Sequence, residues 1–533
     1  AFQWPEIMSR QFLRPLPAVL GFPVRSRPGL TKPVRHLAAI PLVLLLGACA
    51  TLEPIDLPDE HTPPPTADPL WESIASIRPD DWFVLLDDGL AALEWRLVAI
   101  DSAVESIELQ TFLWDFDTAG SMILTHLEDA AERGVQVRLL VDDTFLASQD
   151  RLLLALVSHP NIEYRVFNPF KRRSDGLVTR QFLNLADFSR LDHRMHNKAM
   201  VVDNQVAIVG GRNLADEYFG LHSATNFRDM ELLVGGPVVQ EISASFDLYW
   251  NDHWSFPVEM LSHVEPSYAD LEEAERAKDP ELLIHTETPP DVRQRRWEAL
   301  VNHSLTGDPT LYVDVPPTDV PNDPTVIPVQ IAEELIRLFD EAEEEILILS
   351  AYLIPSQNLE EAAARAVRRG VEVRVLTNSI GSNNHLAAHA VYRNHIGQLL
   401  GDGVQLHEVR VDARDRYIHM IPPADEKALA LHAKALLVDR DKVFIGSANM
   451  DPRSLRINTE MALLVESEAL NARVRQAFKQ DFDRANAWEL QYDEQGRVLW
   501  VSDELVLDAQ PAESFMQRIE DWFFSHMPLE NEL

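Results

Sequence analysis

Two strings in the sequence carry the same chemistry-bearing side chains at the same spacing. Each has a histidine, a lysine two positions later and an aspartate seven positions after the histidine. The first string contains His196, Lys198 and Asp203, and the second contains His432, Lys434 and Asp439. On a β-strand, side chains two residues apart point to the same face. That face therefore offers a titratable nucleophile or acid beside a fixed cation.

Each string continues into a second apolar run that ends in small residues and an asparagine. These runs are VAIVGG before Asn213 and VFIGSA before Asn449, and their glycines let backbone approach a ligand closely. A single histidine and lysine on a strand is usually an ordinary surface feature, but the whole string occurs twice at equal spacing. Two such histidines at a lobe interface suit a displacement with a nucleophile on one side and an acid on the other.

The elements that carry these strings are also duplicated. GVQVRLLVDD at 134–143 resembles GVEVRVLTNS at 370–379, with the same offset of 236 residues that separates the two histidines. Helix-period stretches alternate with short apolar runs in both copies, which is typical of parallel sheets covered by helices. The sequence therefore predicts an α/β fold of two related lobes, each a mainly parallel sheet flanked by helices.

The composition excludes several classes of protein. In 533 residues, 47 Lys and Arg stand against 85 Asp and Glu, a net charge of −38. This balance argues against a protein that coats nucleic acid, since phosphate binding depends on basic side chains. The single cysteine excludes an intramolecular disulfide and a Cys-rich zinc site.

That cysteine, Cys49, follows a stretch with the layout of an export signal. Basic residues precede the apolar run 37–48, which is too short for a stable membrane span. The string LGAC resembles a bacterial lipobox, in which the cysteine is lipidated after cleavage; a plain secretory signal is the alternative. We predict a signal region over 1–48 and an extended, unpacked tether over 49–75, because residues 51–70 are rich in proline and acid.

The doubled string resembles the HxKxxxxD motif of the phospholipase D superfamily. The strings GGRNLADEYFG and GSANMDPRSLRINTEMALLV extend the likeness toward bacterial cardiolipin synthases of the C type and their phospholipase D-like lipoprotein relatives. The resemblance implies two lobes joined with pseudo-twofold symmetry. We assign the first lobe to 76–262, a linker or embellishment to 263–328 and the second lobe to 329–533.

The resemblance also implies roles for the motif residues. His196 would be the nucleophile that forms a phosphohistidine, and His432 would protonate the leaving alcohol. Lys198, Lys434, Asn213 and Asn449 would hold the phosphate oxygens, where charge accumulates in the transition state. Asp203 and Asp439 would support the fold, and the family's reaction requires neither a metal nor a cofactor.

A carboxylate in this family fixes the tautomer of each histidine through its second nitrogen. Glu460, in TEMALLV, matches that position. Glu231, in DMELLV, is the predicted counterpart, although a longer loop precedes it.

Other features allow two interpretations each. His385 and His389 have a metal-ligand spacing, but no third ligand stands nearby. The basic segment 165–198 is either a headgroup-binding surface or a charged loop. The apolar face of the last helix, around Trp522, is either core, which the sequence favours, or a membrane contact.

Three functions remain open from the sequence. The leading one is a phosphatidyltransferase that makes cardiolipin from phosphatidylglycerol or phosphatidylethanolamine. The second is a phosphodiesterase that uses water, acting as a phospholipase or a nuclease; the acidic balance and the export signal disfavour the nuclease. The third is a non-catalytic, membrane-tethered protein that kept the fold. The expected partners are phospholipids and a membrane surface, without nucleic acid. The expected location is that of an exported, membrane-anchored lipoprotein facing the periplasm.

Overall fold

The computed structural model describes residues 52–174, 176–184, 187–276, 289–316 and 330–527. Within these ranges the chain forms two lobes, each built on one large sheet, so the predicted α/β class with two related lobes is confirmed. The signal region and Cys49 lie outside the described residues. None of the helices in the described ranges has the length and apolar character needed to cross a membrane.

The first sheet has nine strands in the described residues, in the order β10-β1-β8-β6-β5-β2-β3-β4-β9. These strands are β1 (Trp82–Leu86), β2 (Ser106–Thr111), β3 (Gln136–Asp142), β4 (Ile162–Phe167), β5 (Ala199–Val202), β6 (Val206–Gly210), β8 (Glu231–Gly235), β9 (Ser255–Pro257) and β10 (Leu305–Thr306). The helices of this half are α1 (Pro69–Ile77), α2 (Gly89–Ser102), α3 (Thr118–Glu132), α4 (Asp150–Leu156), α5 (Leu177–Leu183), α6 (Phe188–Leu191), α7 (Val238–Trp250), α8 (Val258–Leu261), α9 (Tyr268–Arg276) and α10 (Pro290–Asn302).

The second sheet has ten strands in the described residues, in the order β11-β18-β17-β16-β12-β13-β14-β19-β20-β21. These strands are β11 (Asp308–Val313), β12 (Glu345–Ser350), β13 (Glu372–Asn378), β14 (Gln405–Val409), β16 (Lys434–Val438), β17 (Lys442–Gly446), β18 (Met461–Glu466), β19 (Ala487–Tyr492), β20 (Val498–Val501) and β21 (Val506–Leu507). The helices are α11 (Ile331–Glu341), α12 (Gln357–Arg369), α13 (Leu386–Gly401), α14 (Glu468–Asp481) and α15 (Phe515–Phe524). A separate two-stranded sheet pairs β7 (Thr225–Arg228) of the first lobe with β15 (Ala428–Leu431) of the second.

The two sheets are less parallel than the sequence predicted. Among the described strands, parallel pairing within each sheet is confined to β2-β3-β4 and β12-β13-β14, and the neighbouring pairs are antiparallel. The motif strands explain the difference. Only residues 203–205 join β5 to β6, and a parallel crossover needs a dozen residues or more.

The motif aspartates lie in the short turns that follow β5 and β16. Asp203 has a left-handed φ of 52°, and its carboxylate accepts from the N–H groups of residues 104–106 at 2.8 to 3.2 Å and from Nε1 of Trp71 at 2.8 Å. Asp439, at φ 50°, accepts from the N–H groups of residues 343–345 in the same way. Both carboxylates therefore tie the motif hairpin to the start of the strand beside it, β2 or β12.

A shared apolar layer joins the lobes. It contains Phe83 and Val201 from the first sheet and Leu437 and Leu463 from the second, all at most 1% exposed. Two further apolar clusters cover the outer faces of the sheets under the helices. Successive residues of the central strands belong in turn to the shared layer and to an outer cluster. Both sheets are therefore buried on two faces.

The predicted tether and the predicted linker or embellishment both contact the first lobe. The tether has no regular structure over residues 52–68, but Glu60 accepts from Nε1 of Trp250 at 2.8 Å and lies 3.1 Å from Arg165. Within the predicted linker 263–328, α10 buries Trp297 fully against the first lobe, and β10 and β11 extend the two sheets. Proline and acid content thus indicated irregular backbone correctly in part, but it did not exclude packing of the intervening apolar side chains.

Candidate active site

Each motif histidine is held by the backbone of the opposite lobe. The N–H of His196 donates to the carbonyl of Thr459 at 2.9 Å. The N–H of His432 donates to the carbonyl of Arg228, also at 2.9 Å, at the end of the β7-β15 pair. The two lobes therefore fix one another's histidines, and the two motifs meet at the lobe interface.

The carboxylates that contact the imidazoles also come from the opposite lobe. Nδ1 of His196 lies 2.8 Å from Oε2 of Glu460, which also accepts from the hydroxyl of Ser447 at 2.5 Å. Nδ1 of His432 lies 2.7 Å from Oδ2 of Asp229. Each carboxylate orients the ring that belongs to the other lobe, so Nε2 is the nitrogen left for chemistry.

Glu231 is not the partner of His432, and that prediction is wrong. Its buried carboxylate forms ion pairs with Arg96 and with Arg212, the latter at 3.1 Å. Glu231 therefore pairs with two buried guanidinium groups instead of orienting an imidazole.

Strand register identifies the true counterpart. The glycine that ends β6 pairs with Glu231, whereas the glycine that ends β17 pairs with Ala462. Two positions earlier lie Asp229 and Glu460, the two histidine partners. The sequence carried this signal, because DMELLV at 229–234 aligns without a gap with EMALLV at 460–465.

A glycine makes room for the aspartate in the first lobe. A Cβ on Gly211 would stand 2.5 Å from Oδ1 of Asp229, closer than any normal contact. The equivalent position in the second lobe is Ser447, whose hydroxyl binds the longer Glu460. The two half-sites are thus similar in plan and different in detail.

Burial keeps both imidazoles neutral in the free site. Burial and the charges of Lys198 and Lys434 lower the pKa of His196 well below its usual range. The same causes, burial first and then Lys434, lower the pKa of His432 to about 3, although Asp229 opposes the shift. A neutral imidazole has a free electron pair on Nε2, which a nucleophile or base requires.

The two orienting carboxylates differ in charge state. Burial alone would raise the pKa of Asp229, but His432, Lys434 and Arg212 together lower it below its usual value. Burial raises the pKa of Glu460 to about 7, even though the two motif lysines oppose the shift. A stably ionised Asp229 therefore favours a proton on His432, whereas Glu460 is a weaker electrostatic partner for His196.

The motif lysines are buried beside the imidazoles. Nζ of Lys198 donates to the carbonyl of His196 at 2.7 Å, and Nζ of Lys434 donates likewise to the carbonyl of His432. Burial lowers the pKa of Lys198 to about 7 and that of Lys434 to about 8. An anion bound between them would restore full protonation, so the pair is a receptor for a negatively charged group.

Each of the two predicted phosphate-binding asparagines has a buried amide oxygen without a hydrogen bond in the described part of the chain. Nδ2 of Asn213 donates to the hydroxyl of Tyr218 at 2.8 Å, while its Oδ1 is buried and has no hydrogen-bond partner among the described residues. The same is true of Oδ1 of Asn449 within the described part of the chain. A 180° rotation of the terminal amide group exchanges its oxygen and its nitrogen. Each asparagine can therefore present an N–H group to a ligand oxygen.

Aromatic rings that the sequence analysis missed line the imidazoles. The ring of Phe112 meets His196 edge-on at 5.0 Å between centroids, and Tyr218 meets His432 in the same way at 4.9 Å. The ring centroid of Phe227 lies 5.3 Å from that of His432. These rings exclude water from the sides of both imidazoles and strengthen the electrostatic interactions inside the site.

The basic segment 165–198 presents fewer available cations than its composition predicted. Its arginines mostly form ion pairs within the protein: Arg165 with Glu60, Arg173 with Asp143 and Asp150, Arg180 with Asp143, and Arg190 with Asp187. The predicted headgroup surface is therefore largely neutralised, and the segment serves to order the loop beside the first motif.

The chain matches the family described as cardiolipin synthase, PLD-like domain, over residues 97–250 and 335–482. It is 34% identical to cardiolipin synthase C of Escherichia coli K12, over 84% of this chain and 94% of that protein. It is also 32% identical to an uncharacterized protein of Helicobacter pylori 26695, over 82% of this chain and 87% of that protein. Among solved structures, phosphatidylserine synthase of Haemophilus influenzae shares the fold, with a TM-score of 0.51 and 15% identity over 79% of this chain and 92% of that one.

Proposed function

The chain belongs to the phospholipase D superfamily, in the family of cardiolipin synthases with phospholipase D-like domains, and on that premise we propose that it makes cardiolipin through a phosphohistidine intermediate. It is an enzyme of the phosphatidyltransferase and phosphodiesterase type. The observation that carries the proposal is the reciprocal site: two buried imidazoles, each held by a carboxylate of the other lobe, with a buried lysine beside each.

In the first step, Nε2 of His196 attacks the phosphorus of a phospholipid. The P–N bond forms as the bond to the headgroup oxygen breaks, and His432 gives its proton to the departing alcohol. That alcohol is glycerol when phosphatidylglycerol is the donor and ethanolamine when phosphatidylethanolamine is the donor. The phosphatidyl group remains on His196.

In the second step, a phosphatidylglycerol hydroxyl is the acceptor. His432, now neutral, takes the hydroxyl proton as the oxygen attacks phosphorus, and the P–N bond breaks. The products are cardiolipin and a regenerated His196, with His432 protonated again for the next cycle.

The roles of the two histidines follow from their partners. His432 must carry a proton in the first step, and the ionised Asp229 stabilises its imidazolium. The charges of Lys434 and Lys198 oppose that proton in the free site, and a bound phosphodiester anion offsets them. The proton on His432 is therefore favoured when substrate is present, while His196 stays neutral and nucleophilic.

Lys198, Lys434, Asn213 and Asn449 are the groups we assign to the non-bridging oxygens. The lysines are buried and the asparagines have unsatisfied amide oxygens, so binding of phosphate would satisfy groups that are otherwise costly to bury. Hydrogen bonds that strengthen as charge develops on phosphorus oxygens lower the barrier of both steps.

We expect cardiolipin, not phosphatidic acid, to be the main product. A phosphohistidine exposed to water hydrolyses, whereas an aromatic-lined site that holds a lipid hydroxyl favours transfer. The test supplies purified enzyme with mixed phosphatidylglycerol and phosphatidylethanolamine vesicles containing labelled phosphatidylglycerol, and both products are quantified. Cardiolipin should dominate and vanish in His196→Ala; phosphatidic acid alone would make the protein a phospholipase.

We also propose that the protein is an exported lipoprotein attached through Cys49 and facing the periplasm. The support is the LGAC string, its basic and apolar flank and the proline-rich segment after it. Mass spectrometry of the mature N-terminus should find Cys49 carrying a diacylglyceryl group. A retained signal region or an unmodified N-terminus at another residue would contradict this proposal.

A further inference from the structure

The last described helix, α15, has its polarity reversed relative to an ordinary surface helix. Its large apolar side chains are 43 to 78% exposed: Phe515, Met516, Ile519, Trp522 and Phe523. At 3.6 residues per turn these five lie within an arc of about 120°. The sequence favoured core packing for this face, and the structure contradicts that interpretation.

The side of α15 that meets the second lobe is polar. Asp521, 1% exposed, lies 2.7 Å from Nδ1 of His389 and 2.5 Å from Nη1 of Arg393, both on α13. Nε2 of Gln517 donates to the carbonyl of Ile380 at 2.7 Å. Buried, charge-assisted contacts thus fix the helix with its apolar arc directed away from the lobe, since a flip would bury the arc and expose Asp521.

The contact at Ile380 lies at the edge of the sheet that carries His432. Residue 380 follows β13, whose last residue, Asn378, exchanges two hydrogen bonds with Leu431, the neighbour of His432 in sequence. α15 is therefore attached next to the end of β13, the strand end that contacts the residue before His432.

The first lobe has a matching feature at its equivalent edge. Phe182 on α5 is 72% exposed, and α5 is attached through Arg180 to Asp143, directly after β3. The preceding residue, Asp142, accepts from the N–H of Met195, the neighbour of His196. Each lobe thus has exposed apolar side chains on a helix that is attached next to the end of its second parallel strand, β3 or β13.

The start of the described chain lies at the same edge of the first lobe. The N–H of Ile55 donates to the carbonyl of His253, next to Trp254, whose carbonyl accepts from Asn168 at the end of β4. Ile55 lies six positions after Cys49, a span of at most about 22 Å. A lipid on Cys49 would therefore hold this edge close to a bilayer.

We propose that the apolar arc of α15, together with Phe182, docks on a phospholipid bilayer and sets the two-histidine edge against its surface. The inference rests on the proposed function, which supplies a bilayer lipid as substrate. Exposed Trp, Phe and Met side chains on a short, rigidly held helix suit the headgroup and acyl boundary. A second copy of the chain bound at this arc would cover the edge that lipid must reach, so a bilayer is the occupant that leaves the site usable.

The first experiment locates the contact without relying on catalysis. Cys49 is the only cysteine, so full-length Cys49→Ser protein accepts one new cysteine at Met516 for an environment-sensitive fluorophore. The matched control is Val104→Cys, 47% exposed at the opposite end of β2. On addition of phosphatidylglycerol and phosphatidylethanolamine vesicles, the emission of the label at 516 should shift to the blue and that at 104 should stay unchanged.

Every other outcome overturns the proposal. An unchanged label at 516 would show that the arc does not enter the bilayer, and equal shifts at both positions would show non-specific adsorption. Emission from the label at 516 that is already blue-shifted before vesicles are added, together with a dimer in sedimentation, would show that a second copy covers the arc.

The second experiment separates docking from the proposed chemistry. Phe515→Ser with Phe523→Ser should lower turnover of vesicle lipid about tenfold or more, because two aromatic anchors are removed. Turnover of a monomeric, short-chain phosphatidylglycerol should stay within twofold of the parent protein, as should both activities of Val104→Ser. Equal losses on both substrates would overturn docking. If the parent protein turned over neither substrate, the proposed function would be overturned, and the fluorescence result would still stand.

Discussion

Alanine at either His196 or His432 should lower turnover by at least about 10⁴-fold, and the double variant should be hardly slower than either single one. The reason is that the two imidazoles form one site. Without His196 there is no acceptor for the phosphatidyl group, and without His432 the leaving alcohol departs as a costly anion. The measurement is single-turnover formation of headgroup alcohol and of cardiolipin from labelled vesicles.

Asp203→Asn is the control that separates the motif chemistry from the motif scaffold. Its carboxylate accepts from backbone N–H groups and from Trp71, and no contact with either imidazole is present among the described residues. We expect a lower Tm with kcat of the folded protein retained within a few fold. A folded His196→Ala or His432→Ala protein that keeps most of its turnover would contradict the shared site.

The duplicated motif could be predicted from the sequence because its chemistry is local. A histidine and a lysine two residues apart on a strand share a face wherever the strand lies, and a repeat at constant spacing excludes coincidence. The partners of the histidines are different, since each comes from the other lobe. Glu460 is identified by its string, whereas Glu231 was predicted as its counterpart because the residue type is the same. The strand register, which places Asp229 opposite His432, is visible only in the structure.

Features that depend on packing between distant segments were predicted less well. Residues 52–68 lack regular structure as expected, yet Glu60 and Thr62 contact α7 across more than 180 residues of sequence. The orientation of α15 depends on a buried Asp521 whose partners lie on α13. Helical periodicity identifies an apolar arc, but it does not say whether polar contacts or apolar ones attach the helix to its lobe.

The second large effect on kcat is expected at Asp229, which contacts His432. The resemblance to the superfamily did not identify this residue. Asp229→Asn should lower kcat roughly 10³-fold, because an amide can hold the wrong tautomer of the ring and removes the charge that stabilises the imidazolium. The negative charge of Asp229 raises the pKa of His432 against burial and Lys434. Its removal therefore lowers the pKa of His432 further, so the pH above which kcat falls should move downward, and lower pH should restore part of the rate.

Glu460→Gln is the matched variant for the other half-site. It should also slow the reaction, since Glu460 orients the nucleophile, but His196 acts as a neutral nucleophile and gains nothing from a proton. The pH above which kcat falls should therefore move much less in Glu460→Gln than in Asp229→Asn. Because a merely structural loss would scale the whole profile without moving it, full pH profiles of kcat on folded protein distinguish positioning from destabilisation. If Asp229→Asn left the profile in place, or if Glu460→Gln moved it by the same amount, the assignment of His432 as acid and His196 as nucleophile would be wrong.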